Sequence, residues 1–144
     1  MIIIIPLGGV GKRFRDFGYL DPKPLIKVHG KELILWLVDS LSLKKKDKVY
    51  LVYNKELEYY NFENKIIINN RNINFLKLPR DTQGPAETVY YLSKILNKEN
   101  SDDSVIIIDG DVFFKFDILN KIRNEKYSST FYFKSNEIKP IYSY

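Results

Sequence analysis

Apolar residues come in short runs along the chain, separated by turn residues or by stretches with helical spacing, a rhythm that alternates strands with helices. Ile2–Leu7 reads as a buried strand ended by Gly8-Gly9, and residues 25–28 read as a second short extended piece that follows two prolines and closes at His29-Gly30. Residues 32–43 carry apolar side chains around most of a helical surface (Leu33, Ile34, Trp36, Leu37, Val38, Leu41), which predicts a largely buried helix. A strand at 49–53 follows, then a short helix at 55–62 with Tyr59, Tyr60 and Phe62 packed inward. Residues 65–68 and 73–78 read as strands around an Asn-rich turn. Residues 85–97 predict a helix with Pro85 in its first turn, where a missing N–H is harmless. Residues 104–109 form a continuous β-branched strand, whose bulk predicts a parallel sheet covered on both faces. A helix capped by Asp117 spans 117–124, and 128–134 alternates like a strand.

This order predicts an α/β fold: a three-layer α/β/α, Rossmann-like arrangement around a mostly parallel sheet. At 144 residues the chain has the length of one domain, here 1–144, and 44% hydrophobic content agrees with a packed core. Cysteine is absent, which removes disulfides, thiolate nucleophiles and Cys-ligated metals, and suits a reducing compartment. The opening apolar run stops at Pro6, too short for a secretory h-region, and nothing approaches the ~20 apolar residues that span a bilayer. The expectation is a soluble, cytoplasmic chain with no membrane partner.

Net charge is +5 and the isoelectric point about 9.2, a balance that suits nucleic acid, a membrane surface or a polyanionic small molecule. The dense cluster Lys44-Lys45-Lys46 with Lys48 lies between two apolar segments and reads as a solvated turn, so nucleic acid is not the expected partner.

Candidate chemistry begins where the first strand ends. In Leu7-Gly8-Gly9-Val10-Gly11-Lys12-Arg13, glycines let backbone N–H groups approach phosphate oxygens, and Lys12 and Arg13 add cations beside them. The loop is neither a P-loop nor the dinucleotide fingerprint, and alone it is also what a tight turn leaving a strand requires. Pro22-Lys23-Pro24 adds a lysine between two residues of fixed φ, which predicts an extended backbone that aims one ammonium; a rigid surface connection has the same composition.

Together, Gly8-Gly9-x-Gly11-x-Arg13 and Pro22-Lys23-Pro24 resemble the sugar nucleotidyltransferases, a family that includes sugar-1-phosphate nucleotidylyltransferases and phosphocholine cytidylyltransferases. The resemblance implies that Leu7, Gly8, Gly9, Gly11 and Lys12 bind nucleotide, that Arg13 contacts the leaving pyrophosphate, and that Lys23 contacts the α-phosphate. Pro6-Leu7 replaces a usual Leu-Ala and Lys12 a common Thr; neither change removes a charge that the chemistry needs. In Asp81-Thr82-Gln83-Gly84-Pro85-Ala86-Glu87-Thr88, a glutamine can read a base edge while small neighbours leave room for a flat ring. By resemblance Gln83, Gly84 and Ala86 would line the base pocket; Glu87 and Thr88 read as serving the helix rather than the ligand. Asp109-Gly110-Asp111 closes the strongest strand, and carboxylates are hard ligands suited to Mg²⁺. The resemblance assigns the metal to Asp111, with Asp109 beside it as a second candidate ligand.

The implied partners are an NTP and a phosphorylated small-molecule acceptor, with Mg²⁺ as cofactor; self-association stays open. The implied reaction transfers NMP to a sugar phosphate or similar acceptor and releases pyrophosphate, for precursors of surface polysaccharide or glycoconjugates. Residues 136–144 read like entry into a further strand, which in such enzymes begins the acceptor-binding half. The expectation is therefore a C-terminally incomplete nucleotide-binding portion, whether fragment or truncated module. A nucleotide-sugar-dependent glycosyltransferase, which also uses Asp-x-Asp, and a non-catalytic nucleotide-binding module are the rivals. His29, the one histidine, reads as structural, and Trp36 and the tyrosines as packing.

Overall fold

The computed structural model describes residues 1–9, 11–67, 73–96 and 103–130. In chain order, β1 (Ile2–Leu7) is followed by α1 (Lys12–Asp16), a 3-10 turn (Lys23–Leu25), the two-stranded hairpin β2 (Lys27–Val28) and β3 (Lys31–Glu32), and α2 (Leu33–Ser40). Then come β4 (Lys48–Tyr53), α3 (Lys55–Glu58), α4 (Phe62–Ile66), β5 (Ile73–Lys77), α5 (Pro85–Leu96), β6 (Val105–Ile107) and α6 (Ile118–Arg123).

Among the described residues four strands make one parallel sheet in the order β5-β4-β1-β6, with Ile3 opposite Val49 on one side and Ile106 on the other. The pleat of β1 sends alternate side chains to opposite faces. Ile3, Ile5 and Leu7 join a cluster with Leu37 of α2, Leu57 of α3, Phe62 of α4 and Leu119 of α6. Ile2 and Ile4 instead meet Leu92 and Leu96 of α5. Both faces of β1 are thus covered, and the three-layer α/β expectation holds. Each fully buried aliphatic side chain contributes about 1.5–3 kcal/mol, so the isoleucines of β1, all under 5% exposed, anchor the sheet.

The connections decide where a ligand can sit. From β1 the chain steps outward to β4 and β5 through helices on one face. It then crosses over α5 on the other face to place β6 against the opposite edge of β1.

Several expectations change in detail. Residues 65–68 were expected as a strand, but Phe62–Ile66 is helical. Asn61 takes a left-handed conformation (φ 54°) that starts a new turn, and Phe62 and Ile66, four apart, then share one buried face. The helix expected over 55–62 accordingly ends at Glu58, and Tyr59 points to solvent at 77% exposure. Lys23 is not extended: Leu25 N–H donates to Pro22 O and Ile26 N–H to Lys23 O, and these bonds close a tight turn despite the pre-proline preference. The extended piece expected at 25–28 shrinks to β2, joined to β3 through His29 and Gly30, both at positive φ, the pairing that primed hairpin turns use. The strand expected at 104–109 is shorter and covered on one face only among the described residues. At the edge of the sheet among the described residues, it leaves Val105 and Ile107 more than half exposed. α1 is an element that the sequence pattern did not announce. Residues 128–130 have no regular structure; the rest of the strand expected at 128–134, and the further strand at 136–144, lie outside the described residues.

Candidate functional site

Where successive connections leave a parallel sheet on opposite faces, the loops beyond the strand ends part and leave a crevice. That switch falls between β1 and β6, and a cleft of about 260 Å³ occupies it. Four segments line it: the turn after β1, the Lys23-Pro24 turn, the start of α5, and the residues after β6.

Of the residues singled out in the sequence, Leu7, Gly8, Gly9, Gly11, Lys23, Gly84, Asp109 and Asp111 line this one cleft. Lys12, Arg13, Gln83 and Ala86 do not: all four side chains are exposed, the first two on α1 and the others beside Gly84 and Pro85.

Close packing fixes the turn after β1. A Cβ on Gly8 would lie 2.8 Å from both Thr82 Oγ1 and Thr88 Oγ1, so only glycine allows this approach. The two hydroxyls bond each other at 2.7 Å, and Thr88 also donates to Gly84 O at 3.2 Å. Asn54, buried at the end of β4, directs Nδ2 to Gly8 O at 3.5 Å. Gly110 is held equally tightly, since a Cβ there would collide with Leu7 Cδ2.

Charge in the cleft is paired across it. Lys23 donates to Asp111 Oδ2, and its ammonium also lies 5.2 Å from the centre of the Phe14 ring, within cation–π range. On the α5 side, Glu87 Oε2 accepts from Gln83 N–H at 2.6 Å while Oε1 accepts from Arg80. The backbone bond from Gln83, with help from Arg80, holds the Glu87 carboxyl below its ordinary pKa. Glu87 and Thr88 therefore act from the first turn of α5 on the loop before it. Asn54 and Phe14 are site residues that sequence reasoning missed, and Thr88, read there as serving the helix, also lines the cleft. The available signal for Asn54 was its position: a lone polar residue directly after an apolar strand, at the carboxyl end where ligands gather.

Among the described residues no group of three or more His, Cys, Asp or Glu side chains could enclose a metal alone. Asp109 and Asp111 nevertheless both line the cleft, and carboxylate oxygens are hard donors that suit Mg²⁺ when phosphates and water complete its shell. The residues present fit a cation that arrives with a phosphate ligand.

Residues 2–138 match the family model described as nucleotidyl transferase. The chain is 28% identical over 122 residues to the bifunctional protein GlmU of Methanocaldococcus jannaschii, a match covering 82% of this chain and 26% of that protein. It is 30% identical over 112 residues to a probable UDP-N-acetylglucosamine pyrophosphorylase of Acanthamoeba polyphaga mimivirus, covering 78% and 42% respectively. Among solved structures it resembles a nucleoside-diphosphate-sugar pyrophosphorylase from Vibrio cholerae, with TM-score 0.64, 24% identity and coverage of 84% of this chain and 52% of that one. The inositol-1-phosphate CTP transferase from T. maritima gives TM-score 0.59 at 22% identity, over 78% of this chain and 44% of that one. At these identities the structural likeness speaks for the fold. The chain spans well under two thirds of the length of these relatives.

Proposed function

Because this chain belongs to the nucleotidyl transferase family, we propose that its cleft binds a nucleoside triphosphate and that the enzyme transfers the nucleoside monophosphate to a sugar phosphate. The acceptor phosphate oxygen attacks the α-phosphorus, the α–β phosphoanhydride bond breaks, and pyrophosphate leaves. No covalent enzyme intermediate is needed; positioning and charge neutralisation supply the catalysis.

One observation carries the reading: Gly8, Gly9 and Gly11, Lys23 and Asp111 line one cleft at the switch point of a parallel sheet. In this reading the glycine turn receives the phosphates on its backbone N–H groups, and Lys23 takes the α-phosphate. Lys12 adds positive charge beside the turn, and Arg13 takes the departing pyrophosphate once the ligand draws its exposed side chain inward. Gly84 borders the base, with Gln83 and Ala86 beside it. Asp111, with Asp109 near it, would hold Mg²⁺, which when bound offsets charge on the triphosphate. Two of the proteins this chain resembles, the probable UDP-N-acetylglucosamine pyrophosphorylase and the nucleoside-diphosphate-sugar pyrophosphorylase, support a sugar phosphate as acceptor. A cytoplasmic role in making precursors for surface polysaccharide or glycoconjugates extends the same reading.

The test is pyrophosphate release when the full chain is mixed with Mg²⁺, each common NTP in turn and a set of sugar 1-phosphates. The reading expects release with one NTP and one acceptor class, and a loss of about a hundredfold in Asp111→Asn. Sugar transfer from a nucleotide-sugar without pyrophosphate would overturn it in favour of a glycosyltransferase.

A further inference from the structure

The ion pair between Lys23 and Asp111 joins the two groups that a triphosphate and its cation would each need. Its placement is built into the fold. Lys23 opens a turn fixed by Pro22 and Pro24, and the Phe14 ring flanks its ammonium. Asp111 follows Gly110, which is pressed against Leu7. The two side chains are 33% and 44% exposed, so water and ligands reach both, and each can exchange its partner.

We propose that Lys23 is the built-in counter-cation of Asp111 in the nucleotide-free cleft, so that a divalent cation is captured only together with the nucleotide. The inference rests on the reading of this cleft as a triphosphate site. A cation arriving alone would have to displace the ammonium and then sit within a few ångströms of a like charge, with only protein carboxylates and water as ligands. A triphosphate changes both sides of that balance. Its several negative charges give Lys23 a stronger partner than one carboxylate, which releases Asp111, and its oxygens complete the shell of the cation. Linkage makes the effect reciprocal: whatever factor the nucleotide adds to metal affinity, the metal adds to nucleotide affinity.

The experiment measures Mn²⁺ binding to the full chain by electron paramagnetic resonance, with no nucleotide present. Lys23→Met removes the ammonium while keeping the stem, and is expected to tighten binding of Mn²⁺ alone by about tenfold. Lys23→Arg should stay at the wild-type value, and Lys23→Met with Asp111→Asn should lose the gain. A misfolded chain cannot produce such a gain, and Lys23→Gln, also uncharged, carries the same expectation if the Met variant does not fold. Mn²⁺ affinity within twofold of wild type in both uncharged variants would overturn the inference. Inorganic tripolyphosphate, added with Mn²⁺ to the wild-type chain, separates the two levels: no binding would overturn the triphosphate reading and this inference together. Binding without a gain in the Lys23 variants would overturn this inference alone.

Discussion

Gly8 shows how little freedom the first loop has. Its Cα faces two threonine hydroxyls that are already bonded to each other, and Leu78 Cδ1 stands 3.2 Å from where a Cβ would go. The Thr82–Thr88 bond and the burial of Thr88, only 1% exposed, resist the retreat of either hydroxyl. Gly8→Ala should therefore cost about 1–3 kcal/mol of stability, the usual range for overpacking, and should weaken nucleotide binding by displacing the turn. Urea unfolding followed by calorimetric titration with nucleotide checks both; an unchanged midpoint would mean that the loop gives way freely. The glycines and Lys23 were legible in the sequence because backbone approach and charge need particular residue types. Asn54 was not, because its hydrogen bond goes to Gly8, 46 residues away, and spacing carries no record of that; Thr88 bonds only nearby Thr82 and Gly84, and its closeness to Gly8 is likewise visible only in three dimensions.

Between elements, one polar contact fastens α6 to the turn that precedes β4. Arg123 near the end of α6 donates from Nη1 to Asp47 Oδ1 at 3.0 Å and from Nη2 to Oδ2, while Lys44 N–H donates to Oδ2 at 2.7 Å. Asp47 is 3% exposed. The hydrogen bonds from Arg123, reinforced by Lys44 and opposed by burial, hold its carboxyl below the ordinary carboxylate range. A carboxyl depressed in the folded state stabilises at every pH above its unfolded value, near 4, and that stability is lost as pH falls through the folded value. Unfolding free energy should thus drop as pH falls below about 4. Asp47→Asn should show a shallower drop over that interval and sit about 3 kcal/mol lower at neutral pH, since it removes one partner of a buried pair. Equal acid slopes in the two proteins would contradict this role. Element type was legible wherever burial was one-sided: α5 and α6 stand nearly where the pattern put them, and Asp117 caps α6 by accepting from Asn120 N–H at 2.9 Å. Residues 65–67 were misread as strand because Ile66, Ile67 and the residues around them suit a strand by composition, while the left-handed Asn61 is visible only in three dimensions.

At the scale of the molecule, the switch in crossover direction between β1 and β6 turns scattered motifs into one cleft. The sequence order of strands and helices implies a parallel sheet, but not that β6 lies beside β1 rather than beyond β5, and that choice brings Asp111 to Lys23. No helix among the described residues is long and apolar enough to cross a membrane. The central claim is that this cleft is where a nucleoside triphosphate binds. Its most direct test is the set of backbone amide shifts in the ¹⁵N-labelled chain during titration with Mg²⁺ and the preferred NTP. The account predicts that the amides of Gly8, Gly9, Gly11, Gly84 and Asp111 move together at the lowest nucleotide concentrations. Shifts confined to other parts of the sheet or to α6, with those five amides unmoved, would contradict it.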